Sequence, residues 1–339
     1  MTKSLPLIAA LLVMDVAAGG ALGCTRAGQR SAADRVRVSY TPYLSYAPLF
    51  LAADEGLFRR HGLDVELIQM SVYDSTAALL HGDVDVATNF LSIGVLTAIA
   101  RGGRLQIVAD KGYEAGAGCA CNALFARREL VASGRLTDLV SLRGLRVGVR
   151  RVTVEEYWLD RLLESAGVPW AEIRVTDVPA EGKLTALASG QVDLVAWSEP
   201  SLTQAAAKGL GVVWKRPADV LPDLQWAYLL YGRSLLDQRP DVGRRFMLAY
   251  LEGVRRYSAG KTDRNVASVA RHTGIDPELV RRACWIAIHQ DGRINTASVL
   301  DFERWAKSKG YLDAVVPELR FWNPAFTAWA SAQLAAGGS

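Results

Sequence analysis

Ala78-Leu79-Leu80-His81-Gly82-Asp83-Val84-Asp85-Val86-Ala87 and Ala186-Leu187-Ala188-Ser189-Gly190-Gln191-Val192-Asp193-Leu194-Val195 are two copies of one phrase, A-L-x-x-G-x-V-D. Each reads as the end of a helix, stopped at a glycine whose missing Cβ makes a left-handed cap cheap. A tight turn follows, then a short buried strand that begins at Val-Asp. The context upstream repeats as well. Arg35–Tyr40 alternates apolar and polar residues like a strand, Ala47–Arg60 has helical spacing and ends before Gly62, and Leu63–Gln69 is a second strand. In the second half Leu145–Val149 is a strand, Val154–Ala166 a helix stopped by Gly167, and Ile173–Val178 a strand. Each half is therefore β-α-β-α-β, which predicts parallel sheets covered on both faces. Two such units on one chain predict two lobes. In open parallel sheets ligands bind beyond the carboxyl ends of the strands, so two facing sheets put a binding cleft between them.

The rest of the chain reads as helices. Asp237–Ala259 carries Phe246, Leu248, Tyr250, Leu251 and Val254 on its apolar positions. Asp276 caps a helix that starts with Pro277 and runs to about His289, and Thr296–Lys309 and Pro324–Leu334 follow. Trp285, Trp305, Trp322 and Trp329 are expected to pack these helices onto a lobe.

Composition bounds the class. Of 339 residues 50% are hydrophobic and 22% charged, enough apolar material for cores and too much for disorder. The net charge of +4 comes from 39 basic and 35 acidic residues with no clustered basic face, which argues against a nucleic-acid partner. The start differs from the rest. Lys3 precedes an apolar run, Leu5–Val13, and a small-residue stretch, Ala17–Gly23. This is the pattern of an export signal, too short for the roughly 20 apolar residues of a membrane span. Residues 1–24 are read as a signal peptide of lipoprotein type. Ala21-Leu22-Gly23-Cys24 resembles a bacterial lipobox, with alanine where leucine is usual, and makes Cys24 the expected lipidation site. Polar residues 25–34 would be the tether. The remaining cysteines, Cys119, Cys121 and Cys284, are odd in number, so one thiol stays unpaired. Cys119 and Cys121 are badly placed to bridge each other, a bond from either to Cys284 is left open, and Cys-x-Cys without a second ligand pair predicts no metal site.

Tyr43, then Pro48-Leu49-Phe50-Leu51-Ala52-Ala53-Asp54-Glu55-Gly56-Leu57-Phe58 and Gly62-Leu63-Asp64-Val65, resembles the opening of the nitrate, sulfonate, taurine and thiamine-precursor binding proteins of ABC importers. The paired A-L-x-x-G-x-V-D elements and Asp138–Val149 are similar to the same family, over about Arg35 to Arg255. The resemblance implies the type II periplasmic-binding-protein fold, two α/β lobes joined by a two-strand hinge. Its crossovers would be Asn122–Arg127 and Ala227–Arg233, with residues 35–122 plus 229–336 as lobe 1 and 123–228 as lobe 2. It further implies a monomeric, lipid-anchored, extracytoplasmic solute-binding component that closes on a small molecule, serves permease and ATPase subunits and needs no cofactor. An enzymatic branch, the pyrimidine synthases of thiamine biosynthesis, carries a cysteine cluster near the second crossover, and a lysine and a histidine soon after the first Val-Asp. Here Asp223–Tyr231 holds no cysteine, and Asn89 and Ile93 follow Asp85 without either residue. A two-lobe ligand sensor without a transport role is the other alternative.

Ligand contacts are expected on loops after strands and at helix N-termini. Tyr43, Ser45 and Tyr46 follow the first strand and offer stacking with hydroxyls. Asn89 and Ser92 follow Val84–Thr88 and can cap the next helix. Arg150 and Thr153 follow Leu145–Val149, where a helix N-terminus and one inward arginine would suit an anion, and Glu156 completes a T-x-x-E capping box. Trp197 and Glu199 follow Val192–Ala196, one for stacking and one for an amine or protonated heterocycle. Tyr113 and Trp226 are further candidates. This aromatic set, with both acid and arginine, favours a vitamin precursor or other N-heterocycle over bare nitrate, which needs only a small cationic nest, and leaves a sulfonate possible. Of catalytic signatures there is no G-x-S-x-G, H-E-x-x-H, Walker loop or G-x-G-x-x-G, and no catalytic residue is expected.

Overall fold

Both copies of the repeated phrase fold alike in the computed structural model, which describes residues 33–337. The expected signal peptide, Cys24 and the tether up to Ala32 lie outside those residues. The first half runs β1 (Asp34–Tyr40), α1 (Ala47–Asp54), α2 (Leu57–Arg60), β2 (Leu63–Gln69), α3 (Val72–His81), β3 (Val86–Phe90), α4 (Ile93–Ala100) and β4 (Leu105–Tyr113). The second runs β5 (Asn122–Arg127), α5 (Arg128–Ala132), β6 (Arg146–Val149), α6 (Val154–Ser165), β7 (Arg174–Asp177), α7 (Lys183–Ala188), β8 (Leu194–Ser198), α8 (Ser201–Ala207) and β9 (Gly211–Lys215). The chain returns through β10 (Gln225–Gly232) and ends in α9 (Pro240–Ser258), α10 (Asp263–Thr273), α11 (Pro277–Arg282), α12 (Thr296–Ser308), α13 (Glu318–Phe321) and α14 (Ala325–Ala336).

The phrase owes its residues to local physics. Gly82 and Gly190 end their helices at φ +82° and +73°, a conformation that a Cβ would strain. The aspartate just before the next strand then clasps the strand that runs parallel beside it. Asp85 donates its N–H to the Arg37 carbonyl (2.8 Å) and accepts the Arg37 N–H on Oδ2 (2.9 Å). Asp193 makes the same two bonds to Arg146, at 2.8 and 2.9 Å. Gly56, at φ +66°, breaks the single helix expected over Ala47–Arg60 into α1 and α2.

Two five-stranded sheets result, in the orders β2-β1-β3-β10-β4 and β7-β6-β8-β5-β9. They share one pattern, but they are mixed, where the sequence predicts parallel sheets. β10 is antiparallel to both β3 and β4, and β5 to both β8 and β9. The two stretches read as crossovers are thus inner strands, one in each sheet; an apolar run looks the same in either role. The crossing is made by the segments before them, residues 114–121 and 216–224. These are laced together where Glu114 donates to the Leu224 carbonyl (2.9 Å) and Asp223 donates to that of Glu114 (2.8 Å). The return strand joins the first sheet from Gln225, so Trp226, Ala227 and Tyr228 stand with lobe 1, on the other side of the boundary read from the sequence.

The C-terminal helices do more than cover lobe 1. α9 packs on α1 and α14. α12 instead meets α6 of the second lobe, where Tyr157 lies against Phe302 (5.4 Å between centroids) and Trp305 Nε1 donates to Asp160 (2.8 Å). The helix expected from Pro277 to about His289 stops at Arg282. Beyond it the chain is drawn out along β4: Tyr113 donates to the Ala287 carbonyl (3.0 Å) and His289 donates to Asp110 Oδ2 (2.7 Å). No helix among the described residues is long and apolar enough to cross a membrane.

Candidate functional site

A cavity of about 290 Å³ opens between the two sheets, walled by residues of both lobes. Lobe 1 contributes the loop after β1 (Tyr43, Leu44, Ser45, Tyr46), the start of α3 with Tyr73, and Phe90, Lys111 and Trp226. Lobe 2 contributes Asn122, Arg150, Glu155, Glu181, Lys183, Trp197, Ser198, Glu199 and Ser201. Seven of the residues proposed from the sequence meet here: Tyr43, Ser45, Tyr46, Arg150, Trp197, Glu199 and Trp226.

Each is held by its neighbours. Tyr46 is buried, accepts the Thr88 hydroxyl (2.6 Å) and stacks on Phe50. Burial, then the nearby Glu181, push the Tyr43 phenol up to about 12, so it stays a neutral donor. Trp197 packs edge-on to Phe125, and it and Trp226 keep only 8% of their surface, turned to the cavity. Glu199 caps α8, accepting from the Thr203 N–H (3.0 Å) and hydroxyl (2.7 Å), and also accepts the Cys284 N–H (3.2 Å). Burial raises its carboxyl above the ordinary range.

The other four proposed residues stand outside the cavity wall. Asn89 is buried and occupied: its amide donates to the Val72 carbonyl (3.0 Å) and Thr76 hydroxyl (2.9 Å), tying α3 to β3. Ser92 and Thr153 pair with each other across the lobes as an isolated bridge, and Ser92 makes no side-chain cap. Thr153 caps α6 by accepting the Glu155 N–H (3.2 Å). Tyr113 stacks on His289 at 3.9 Å between centroids.

The loop expected to grip an anion is already filled by the chain's own carboxylates. Glu155 accepts the Arg150 N–H (2.7 Å), Asp177 that of Arg151 (3.0 Å) and Glu156 that of Val152 (2.6 Å). Those three bonds hold Val152 at φ +62°, an outlying conformation for a β-branched residue. Arg150 reaches the wall but pairs with Asp177 (2.7 Å) and donates to the Tyr73 hydroxyl across the cleft (3.2 Å), while Arg151 turns to Glu156 and Tyr311.

Sequence reading missed the buried lysines. Lys183, 1% exposed, donates to both oxygens of Glu155 (2.7 and 2.6 Å) and to the Ala196 carbonyl (2.7 Å). Lys111, 4% exposed, donates to Ser45 Oγ (3.0 Å) and lies 4.0 Å above the Tyr46 ring. A charged residue closing the apolar strand Leu105–Ala109 was the available signal. The cysteines missed less: Cys284 bridges Cys119 and leaves Cys121 as a buried thiol, with Cys121 and Cys284 both on the cavity wall. The fold thus brings a third sulfur to Cys-x-Cys that spacing alone does not reveal, but the disulfide takes two of the three out of reach of a metal ion.

Residues 29–271 match the model of the NMT1-like family. No curated protein matches the sequence. Similar solved structures include the ligand-binding component of an ABC-type import system from Staphylococcus aureus with zinc bound (17% identity, 88% of this chain and 99% of that one, TM-score 0.73). Others are the periplasmic nitrate-binding protein NrtA from Synechocystis PCC 6803 (14%, 89% and 89%, 0.70) and the periplasmic aliphatic sulphonate binding protein SsuA from Escherichia coli (16%, 85% and 97%, 0.69). At such identities the likeness establishes the shared two-lobe fold.

Proposed function

Because this chain belongs to the NMT1-like family and walls a cavity from two like lobes, we propose that it is the solute-binding component of an ABC importer. The observation that carries the reading is the cavity itself: its aromatic rings and polar groups come from both lobes, so a guest would touch both and favour their closed arrangement. The ligand would be a small, flat organic molecule, an N-heterocycle such as a vitamin precursor ahead of a simple sulfonate. Four aromatic residues, Tyr43, Tyr73, Trp197 and Trp226, support a flat body. Permease and ATPase subunits would receive the cargo from a monomer anchored outside the cytoplasm by lipid on Cys24. The Cys119–Cys284 disulfide suits such an oxidising location.

Thermal-shift screening of vitamins, heterocycles, amines and sulfonates tests the binding claim. A ligand at 100 times its dissociation constant adds about 2.7 kcal/mol to the native state. A broad panel without any shift would refute it. Replacing Cys24 by serine should release the protein from the membrane fraction, and retention there would remove the lipid anchor from the account.

A further inference from the structure

The charged groups of the cavity wall are unequal. Arg150 and Lys183 are engaged by Asp177 and Glu155, and the backbone donors of Arg150–Val152 are taken by three carboxylates. Lys111 differs. It is buried, faces the cavity, and has three donor positions, of which Ser45 Oγ takes one and the face of Tyr46 screens another side. Among the described residues it forms no ion pair. The neighbouring Asp110 serves His289, Gln225 and the Gly112 N–H instead. A buried ammonium short of acceptors is costly unless something supplies them. Burial accordingly draws Lys111 down to about 7, with Asp110 opposing weakly.

We infer that the guest carries a single acid group, a carboxylate or sulfonate, seated on Lys111 Nζ beside Ser45 Oγ, with its flat body among the aromatic rings. This rests on the solute-binding reading above and names the class of solute. One acid group is favoured over two because, among the described residues, Lys111 is the one wall cation left without a carboxylate, while Glu181 and Glu199 would repel a second charge. An acid supplies the missing acceptors and the counter-charge together. Its amide analogue supplies an acceptor without the charge.

Calorimetric titration of acid–amide pairs decides it: benzoate with benzamide, nicotinate with nicotinamide, and benzenesulfonate with benzenesulfonamide. Each is run on the wild-type protein and on Lys111→Met. The wild type should prefer the acid by about 10- to 100-fold, the span of a charge-assisted hydrogen bond. Lys111→Met should bring the acid-to-amide ratio to one or below, and Ser45→Ala should lower it in part. The ratio is immune to a general loss of folding, since both members of a pair see the same protein. Amides that match their acids in the wild type overturn the inference, as does an acid preference that survives Lys111→Met. If only neutral compounds bind, the inference falls while solute binding stands. If nothing in the panels or the wider screen binds, the solute-binding reading falls first. Whether carboxylate or sulfonate is the natural head group is given by which pair shows the larger ratio.

Discussion

Lys183→Met strikes a heavily bonded buried charge of the second lobe. The ammonium makes three hydrogen bonds of 2.6–2.7 Å, two to Glu155 and one to the Ala196 carbonyl, joining α7, the start of α6 and the end of β8. Methionine of similar length fills the space but leaves Glu155 with only the Arg150 N–H. Removing one partner of a buried pair costs about 3–5 kcal/mol. At about 2–4 °C per kcal/mol for a chain that melts as one unit of more than about 150 residues, the thermal midpoint should fall by roughly 6–20 °C. The penalty belongs to the orphaned carboxylate, so removing that as well should restore much of it. Lys183→Met with Glu155→Leu is expected to melt above Lys183→Met alone, an interaction that a double-mutant cycle isolates. Differential scanning calorimetry of the four proteins, without ligand, gives the answer. A cost under 1 kcal/mol for the single variant, or a double variant worse than the single, would refute the assignment of stability to this pair.

Burial lifts the Glu114 carboxyl to about 7, so the folded protein keeps a proton that the unfolded chain releases near 4.5. Its contribution is whole below about pH 4.5 and is lost as pH rises through about 7. Glu114→Gln should therefore flatten the decline in thermal midpoint across that window, and an unchanged decline would show that the carboxyl is not the cause. Cys121 is buried and its thiol is pushed up by burial, so alkylation mapped by mass spectrometry should label it only after unfolding; rapid labelling of the native protein would contradict its placement. Trp197→Leu keeps an apolar side chain against Phe125 but loses the ring at the cavity, and should weaken binding of any ligand found by about 2- to 10-fold in fluorescence titration. An unaltered dissociation constant would take Trp197 out of the contact surface.

The fold was legible because its decisive residues act locally. Gly82 and Gly190 are read from backbone preference alone, and the strands beginning near Val-Asp follow from burial. The antiparallel placement of β5 and β10 was not legible, since nothing in an apolar run states which neighbours it will have. The same limit hid the extended segment after Arg282, whose course is set by Asp110 and the backbone of Tyr113 far along the chain. In the cavity, the aromatic residues of the loop after β1 and the end of β8 could be read from their position after strands. Asn89 lies inside β3 and ties it to α3, and Thr153 caps α6, because a short polar side chain beside a helix start finds backbone partners first. Lys111 and Glu155 needed partners from distant segments, Ser45 and Lys183, to give them meaning.

Cys119 and Cys284 lie 165 positions apart, and the whole second sheet falls between them. The oxidised chain thus carries one lobe inside a covalent ring. A protease that nicks an exposed turn there leaves both pieces fastened until a reductant is added.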